Sequence, residues 1–150
     1  MKHRPNTLAA LAGLLLAAAP AIAQDAATVK VAESGEYGKY LAYADGRSLY
    51  LFESDTRAEG DATAQVSCKE KCLERWPPFY SQSDPKAGDM ADAAMLGTVE
   101  HDGKTMVTYN GWPLYYFVDD KTPGDTKGHD IEEFGAEWYL VTPEGEKAED

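Results

Sequence analysis

The stretch Tyr-Asn-Gly-Trp-Pro-Leu-Tyr-Tyr-Phe-Val-Asp-Asp-Lys-Thr-Pro-Gly-Asp, residues 109–125, decides the fold. Asn110-Gly111 is a strong hairpin signal, because a tight type I′ turn needs two residues that tolerate positive φ. The strand predicted after this turn, residues 112–118, is apolar on both of its faces. We expect such a strand either in the centre of a layered core or with one aromatic face presented to something else.

An earlier stretch repeats the same pattern around Asp45-Gly46. Five identities at one fixed offset relate the two stretches: Gly46 and Gly111, Leu49 and Leu114, Tyr50 and Tyr115, Phe52 and Phe117, and Asp55 and Asp120. They predict an internal repeat of one supersecondary unit, at residues 39–56 and 104–122. Two copies are too few for a solenoid, so two related hairpins within one domain are expected.

The remaining pattern predicts short strands around one short helix. A capping box of Ser67 and Glu70 predicts a helix over residues 68–75, which the Pro77-Pro78 pair ends. One further helical turn is expected within residues 91–96. The fold class is therefore all-β or β-rich α+β, as a small antiparallel sandwich or partly open barrel. The domain is predicted over residues 24–143, followed by an acidic, disordered tail at residues 144–150. The strands are expected at residues 27–32, 39–44, 47–53, 97–100, 104–109, 112–118 and 138–142.

The first 23 residues have the organisation of a secretory signal. Lys2 and Arg4 precede an apolar run over residues 8–19, and Ala21-Ile22-Ala23 forms a small-residue cleavage site before Gln24. The apolar run is short for a membrane span, although a retained anchor is the alternative. Because no Cys stands at the cleavage site, lipid attachment there is not expected. The sequence predicts a periplasmic or secreted protein without a transmembrane segment.

The net negative charge of the chain limits the classes of partner that the protein can bind. The full chain has 14 Lys and Arg against 26 Asp and Glu, and removal of Lys2 and Arg4 changes the net charge from −12 to −14. Such a surface repels nucleic acid and anionic lipid, and it favours solubility, cations or basic partners. The acidic residues are spread out, which favours a solvated face over a cation site.

Two cysteines, Cys68 and Cys72, carry the most obvious chemistry. In an exported chain the default is one disulfide, which the close spacing permits. Copper(I) binding by the two thiolates with a Met or His is one alternative, and thiol redox chemistry is the other. The position after Cys72 is Leu73, which argues against covalent haem attachment. The methionines and histidines considered as further copper ligands are Met90, Met95, Met106, His101 and His129.

The repeated Tyr-x-Phe-x-x-Asp motif has two interpretations. In the structural one, Tyr and Phe pack across strands while Asp accepts backbone N–H groups in a turn at the strand end. In the functional one, two aromatic ladders with terminal carboxylates line a ligand groove. The motif residues are Tyr50, Phe52, Asp55, Tyr115, Phe117 and Asp120.

These motifs together resemble the bacterial "secreted repeat of unknown function" family, predicted lipoproteins described by a Tyr-x-aromatic-x-x-Asp motif. The resemblance rests on the doubled motif, on Cys-x-x-x-Cys followed by Trp-Pro-Pro, and on the stretch at residues 109–117. It runs over about residues 39–141 and implies an exported domain built of two repeats. It implies no activity, and this chain lacks the lipobox that many members carry.

The sequence thus favours an exported, non-enzymatic domain without a cofactor, which binds an unknown envelope protein or a small ligand, or serves as an accessory. None of the catalytic motifs considered, such as Gly-x-Ser-x-Gly or His-Glu-x-x-His, occurs in the chain. The alternative is a copper-handling or thiol-redox accessory protein that uses Cys68 and Cys72.

Export should remove residues 1–23, because the charged, apolar and small-residue segments follow one another in the order that signal cleavage requires. The intact mass of protein isolated from its own compartment is then that of a chain beginning at Gln24. A mass that includes the apolar run, or a mass increased by a lipid, would contradict this prediction.

Overall fold

The structure is a computed structural model that describes residues 26–149 together with the isolated positions 3 and 13. The predicted signal sequence, residues 1–23, therefore lies outside the described residues apart from those two positions. In the described part of the chain, no helix combines the length and the apolar character needed to cross a membrane.

The described chain is β-rich, which confirms the predicted fold class. It contains one short α-helix, α1, and one 3-10 turn, which lies at Ala93–Met95 within the helical turn expected there. The helix and strands are β1 Thr28–Ser34, β2 Gly38–Tyr43, β3 Tyr50–Phe52, α1 Lys71–Arg75, β4 Lys86–Ala87, β5 Leu96–His101, β6 Lys104–Tyr109, β7 Trp112–Pro113, β8 Ile131–Glu133 and β9 Ala136–Leu140.

The strands form three small sheets, and none of these sheets closes into a barrel. Their strand orders are β2-β1-β4, β3-β9-β8 and β5-β6-β7. All pairs are antiparallel except β1 with β4, which is parallel. β4 and β8 lie outside the strands predicted from the sequence.

The turn at Asn110-Gly111 has the predicted geometry. Both residues have positive φ, 50° at Asn110 and 83° at Gly111, and Tyr109 pairs with Trp112 across the turn. Gly111 is also required by packing, because a Cβ atom there would lie 2.1 Å from the Ala58 carbonyl oxygen. That close approach lets the Ala58 N–H donate to the Gly111 carbonyl over 2.9 Å.

The strand predicted at residues 112–118 is extended but is a regular strand only at β7. Beyond β7 its N–H groups change partner: Leu114 donates to Val107, Tyr115 to Tyr50 and Tyr116 to Pro77. Proline has no N–H group, so the Pro77-Pro78 segment beside it accepts hydrogen bonds without returning them. Residues 112–118 therefore hydrogen-bond to several parts of the fold instead of forming one continuous strand ladder.

Each repeat is longer than the sequence comparison indicated. In the first repeat β1 and β2 lead into Leu49, whose N–H donates to Leu41. In the second, β5 and β6 lead into Leu114, whose N–H donates to Val107. Each repeat then continues to a strand-like segment that begins with a tryptophan.

These tryptophan segments are exchanged between the repeats. In the segment of the first repeat, residues 76–79, Pro78 lies opposite Tyr115 of the second repeat. In the segment of the second repeat, residues 138–141, Leu140 pairs with Tyr50 of the first repeat. Each hairpin is thus completed by the other repeat, so neither hairpin has its full set of strand partners alone.

The helix begins three residues later than predicted, so the expected capping box is wrong. α1 starts at Lys71, and Glu70 before it has a φ of 54° and makes no side-chain capping bond. Ser67 lies before the N-cap position of this helix, and its N–H and hydroxyl both donate to the Asp55 carboxylate. Cys68 consequently lies before the helix and Cys72 within it.

The acidic segment after residue 143 is ordered as far as the structure describes it, contrary to the predicted disorder. The chain turns at Gly145, and the Ala148 N–H donates to the Leu140 carbonyl over 2.8 Å. Ala148 is buried in the same core as the rings of the motif. The segment acts as an additional edge beside β9.

We expect the disulfide to fix the entry to α1 more than it holds the fold. Cys68 and Cys72 are bonded, with their Cα atoms 5.4 Å apart, and so short a loop contributes about 2 kcal/mol in the chain-entropy model. The Cys68→Ala/Cys72→Ala protein should fold, with a loss of unfolding free energy of that order in urea titration. Failure of the double variant to fold would show that the sulfurs hold more than this loop.

Candidate functional site

The centre of the molecule is a backbone pair between the tyrosines of the two motifs. The Tyr50 N–H donates to the Tyr115 carbonyl over 2.9 Å, and the Tyr115 N–H donates to the Tyr50 carbonyl over 3.0 Å. This reciprocal antiparallel bridge relates the two repeats by an approximate two-fold axis, as an isologous interface relates two subunits.

The side chains of the motif then cross between repeats. The Tyr50 hydroxyl donates to Oδ2 of Asp120 over 2.6 Å, and the Tyr115 hydroxyl donates to Oδ2 of Asp55 over 2.6 Å. Each tyrosine therefore pairs with the aspartate of the other repeat, not with the aspartate five residues after it. The predicted motif is one crossed unit rather than two independent ones.

The aspartates also accept backbone N–H groups, but from more distant donors than a turn at the strand end would supply. Oδ1 of Asp55 accepts from the N–H of Ser67 over 2.8 Å and from its hydroxyl over 2.9 Å. Oδ1 of Asp120 accepts from the Lys127 N–H over 2.9 Å. The carboxylates thus anchor the loops that lead toward the two tryptophan segments.

Burial controls the titration of these pairs. Loss of water raises the pKa of the Asp55 and Asp120 carboxyl groups, while the hydrogen bonds donated by Tyr115 and Tyr50 oppose that rise. The pKa of each tyrosine hydroxyl is raised by burial first and by its carboxylate partner second. The phenols therefore remain protonated donors.

Four rings form a continuous stack through this centre. Phe52 stacks on Trp138 with ring centroids 4.0 Å apart, and Trp138 stacks on Trp76 at 3.9 Å with planes inclined by 4°. Trp76 stacks in turn on Phe117 at 4.2 Å. Tyr50 meets Trp76 edge-on at 5.5 Å, and the symmetry-related Tyr115 meets Trp138 edge-on at 5.0 Å.

One glutamate serves both tryptophans. The Trp76 indole N–H donates to Oε2 of Glu133 over 2.9 Å, and the Trp138 indole N–H donates to the Glu133 carbonyl over 3.1 Å. Oε1 of Glu133 also accepts from Arg75 over 3.0 Å. Both buried indole donors are thereby satisfied at the rim of the stack.

All six motif residues are thus buried in the core. The aromatic face that the sequence offered as a possible ligand groove is covered by the opposite repeat. Sequence comparison missed Trp76 and Trp138 as equivalent residues because they follow Phe52 and Phe117 at different spacings, 24 and 21 residues.

The sulfurs of Cys68 and Cys72 are joined and buried beside Trp76. The part of the chain that the structure describes holds no group of three or more His, Cys, Asp or Glu side chains that could bind a metal ion. Copper binding by the reduced cysteines with a Met or His stays a prediction.

On the side of residues 112–118 that carries Tyr116 lies a surface cleft of about 290 Å³, which we call the tyrosine cleft. Its floor is the buried ring of Phe79, and polar groups surround its mouth. The residues that line it are Ala27, Tyr43, Arg47, Phe79, Tyr80, Gln82 and Tyr116.

Arg47 and Tyr116 form the centre of the cleft. The Arg47 guanidinium carbon lies 3.9 Å above the centroid of the Tyr116 ring, and its Nε donates to Asp45 over 2.7 Å. Phe79 and Tyr43 meet Tyr116 edge-on at 5.3 and 6.4 Å. Burial raises the pKa of the Tyr116 hydroxyl, so this phenol is a neutral hydrogen-bonding group at the mouth.

Sequence reasoning did not single out the cleft residues. A usable signal existed, because Tyr116 lies between Tyr115 and Phe117 and must therefore point to the opposite face of an extended segment. Arg47 directly follows the Asp45-Gly46 turn in the other repeat. The contact between these two residues follows from the exchange of segments, which the sequence alone did not reveal.

The fold and its centre define a β-rich domain made of two repeats that exchange strands and side chains. Residues 98–142 match a family described as a secreted repeat of unknown function. The predicted resemblance is confirmed, and the match runs from within β5 to just past the second tryptophan segment, which is one repeat. No curated protein matches the chain, and no solved structure does.

The crossed arrangement predicts which pairs of substitutions are coupled. Tyr50→Phe and Asp120→Asn remove one charge-assisted hydrogen bond, worth about 1.5–3 kcal/mol. Denaturant unfolding should give a coupling energy of about 0.5–3 kcal/mol for this pair. The matched control is Tyr50→Phe with Asp55→Asn, which lie in one repeat and share no hydrogen bond.

That control pair should be additive within about 0.5 kcal/mol. Asp55→Ala and Asp120→Ala should each destabilise by about 1–3 kcal/mol, because they leave loop donors unpaired. The Asn variants should be milder, since an amide oxygen still accepts those donors. The crossed assignment would be refuted if Tyr50→Phe were coupled to Asp55→Asn and additive with Asp120→Asn.

Proposed function

We propose that this protein is an exported, non-enzymatic binding domain and that the tyrosine cleft receives a small ligand. The family description supports an extracellular or envelope location for the domain. We place it, within that range, in the periplasm or outside the cell, as an accessory to an envelope system. The crossed core is its scaffold and the cleft is its binding surface.

One observation carries the proposal: aromatic rings and polar groups converge on a single concave surface outside the core. Ligand pockets combine apolar and aromatic walls with a few placed polar groups. Tyr43, Tyr80 and Tyr116 offer ring surfaces, and Arg47 and Gln82 add planar donors. The Tyr80 hydroxyl is already hydrogen-bonded to Nδ1 of His101 over 2.9 Å. This chemistry favours a hydroxylated ring compound, such as a saccharide unit, over a purely apolar ligand.

The size and charge of the cleft limit the ligand further. About 290 Å³ accommodates one or two small rings and not a long chain. Asp45 partly neutralises Arg47 through their ion pair, so the guanidinium acts mainly as a positioned donor over Tyr116. We therefore expect a neutral ligand to be favoured over a strongly anionic one.

Ligand-observed NMR with the mature protein tests this proposal. The probes are a panel of neutral, N-acetylated and uronic monosaccharides with small aromatic acids as comparators. Binding of a sugar should be lost with Tyr116→Leu, because the central ring is removed, and weakened with Arg47→Gln. The matched control is Lys39→Gln, an exposed cation on β2 that does not line the cleft.

Binding that Tyr116→Leu leaves unchanged, or no binding by any member of the panel, would overturn the proposed site. The copper or thiol-redox alternative is tested separately by thiol counting and metal analysis of protein taken from its own compartment. Free thiols with bound copper in that sample would favour the alternative function.

A further inference from the structure

We propose that the crossed core is a site of one-electron oxidation, which takes up an oxidising equivalent from a radical oxidant and holds it as a tyrosyl radical at Tyr50 or Tyr115. This activity is independent of the tyrosine cleft and does not rest on ligand binding. The oxidant is identified by chemical class, as a one-electron acceptor such as a peroxyl radical.

The first argument is the placement of proton acceptors. Oxidation of a phenol or an indole makes its O–H or N–H strongly acidic, so a radical is stabilised where a base already holds that hydrogen. Tyr50, Tyr115 and Trp76 donate to the carboxylates of Asp120, Asp55 and Glu133 over 2.6, 2.6 and 2.9 Å. These distances are within the reach required for proton transfer to a positioned base.

The second argument is that the two aspartates are arranged as bases. The oxygens of Asp55 accept from three donors, namely the Tyr115 hydroxyl and both the N–H and the hydroxyl of Ser67. The oxygens of Asp120 accept from the Tyr50 hydroxyl and the Lys127 N–H. In each aspartate one carboxylate oxygen faces the phenol and the other is held by loop donors. These hydrogen bonds favour the proton-accepting form and oppose burial, which raises the pKa of both carboxyl groups.

The third argument is the path for the electron. The four stacked rings are separated by 3.9 to 4.2 Å, so their π-systems are in contact from Phe52 to Phe117. Tyr50 and Tyr115 each meet a tryptophan of this stack edge-on. An electron can therefore leave either tyrosine through the tryptophan pair without crossing a layer of aliphatic side chains.

The fourth argument is the connection to solvent. The rings themselves are buried, but the Glu133 side chain that accepts the Trp76 N–H is 29% exposed. A transiently oxidised Trp76 can release its proton to this carboxylate and regain it when a tyrosine supplies the electron. The surface beside Glu133 is consequently the place where an oxidant would act.

The tyrosine O–H bond breaks, its proton forms an O–H bond with Oδ2 of the paired aspartate, and one electron passes through the stack to the oxidant. The products are a neutral tyrosyl radical, a neutral carboxylic acid and the one-electron-reduced oxidant. A peroxyl radical reduced in this way takes a proton from water and becomes a hydroperoxide.

Flash photolysis of the full mature protein with ruthenium tris-bipyridine and a sacrificial acceptor tests the proposal. The photogenerated ruthenium(III) complex is the one-electron oxidant, and rapid freezing followed by electron paramagnetic resonance identifies the radical. We expect a tyrosyl signal from the wild-type protein. The signal should fall sharply in Tyr50→Phe/Tyr115→Phe, which removes both phenols of the crossed core.

Two further variants separate the proposed role from simple packing. Asp55→Asn/Asp120→Asn keeps both tyrosines but removes both proton acceptors, so the tyrosyl signal should fall sharply. Tyr109→Phe is the matched control, because Tyr109 is equally buried but donates to the Pro143 carbonyl over 2.7 Å. Its signal should equal that of the wild type.

Near-UV circular dichroism checks that each variant is folded. If a double variant is not folded, its two component single variants are measured instead. Each single variant should lose part of the signal. The proposal is overturned if the wild type gives no tyrosyl radical, if removal of both phenols leaves the signal unchanged, or if the Asn variants leave it unchanged.

Discussion

The structure depends on one reciprocal contact, the antiparallel backbone pair between Tyr50 and Tyr115 with the two crossed tyrosine–aspartate hydrogen bonds around it. Each tyrosine hydroxyl is held by the opposite repeat, so neither motif tyrosine finds its acceptor within its own repeat. An unpaired buried hydroxyl or carboxylate would cost about 1–3 kcal/mol or more, which makes the two halves mutually dependent. The tryptophan stack has the same two-fold relation, since Phe52 stacks on Trp138 and the equivalent Phe117 stacks on Trp76.

Part of this arrangement could be predicted from the sequence. The Asn110-Gly111 turn, the β-rich class and the doubled motif rest on local rules for turns and alternation, which do not depend on partners far along the chain. The crossing could not be predicted, since an aspartate after Phe52 has the same local pattern whether its donor is near or distant. The helix start at Lys71 was missed for the same reason: Ser67 is drawn to Asp55 by a tertiary contact that overrides the local capping signal.

The match to a secreted repeat family covers one repeat, yet the structure shows that the folded unit contains two. A lone copy would expose the edge that the Trp76 or Trp138 segment covers, and it would leave the motif tyrosine without its carboxylate. The repeat is therefore a unit of sequence, while the pair is the unit of stability. This distinction explains why the motif residues need not form a ligand site: their spacing is already accounted for by the demands of a symmetric core.

Specific function in such a domain is expected where the two repeats differ. Tyr116 of the second repeat corresponds to the buried Leu51 of the first, and Arg47 of the first corresponds to Trp112 of the second. The approximate symmetry would place two equal surfaces on the molecule, but only one of the two brings a guanidinium over a tyrosine ring. Arg47 and Tyr116 take no part in the crossed hydrogen bonds. Tyr116 faces away from them, because alternate residues of an extended segment lie on opposite sides. The core can thus remain symmetric while one surface acquires the polar and aromatic groups of the cleft.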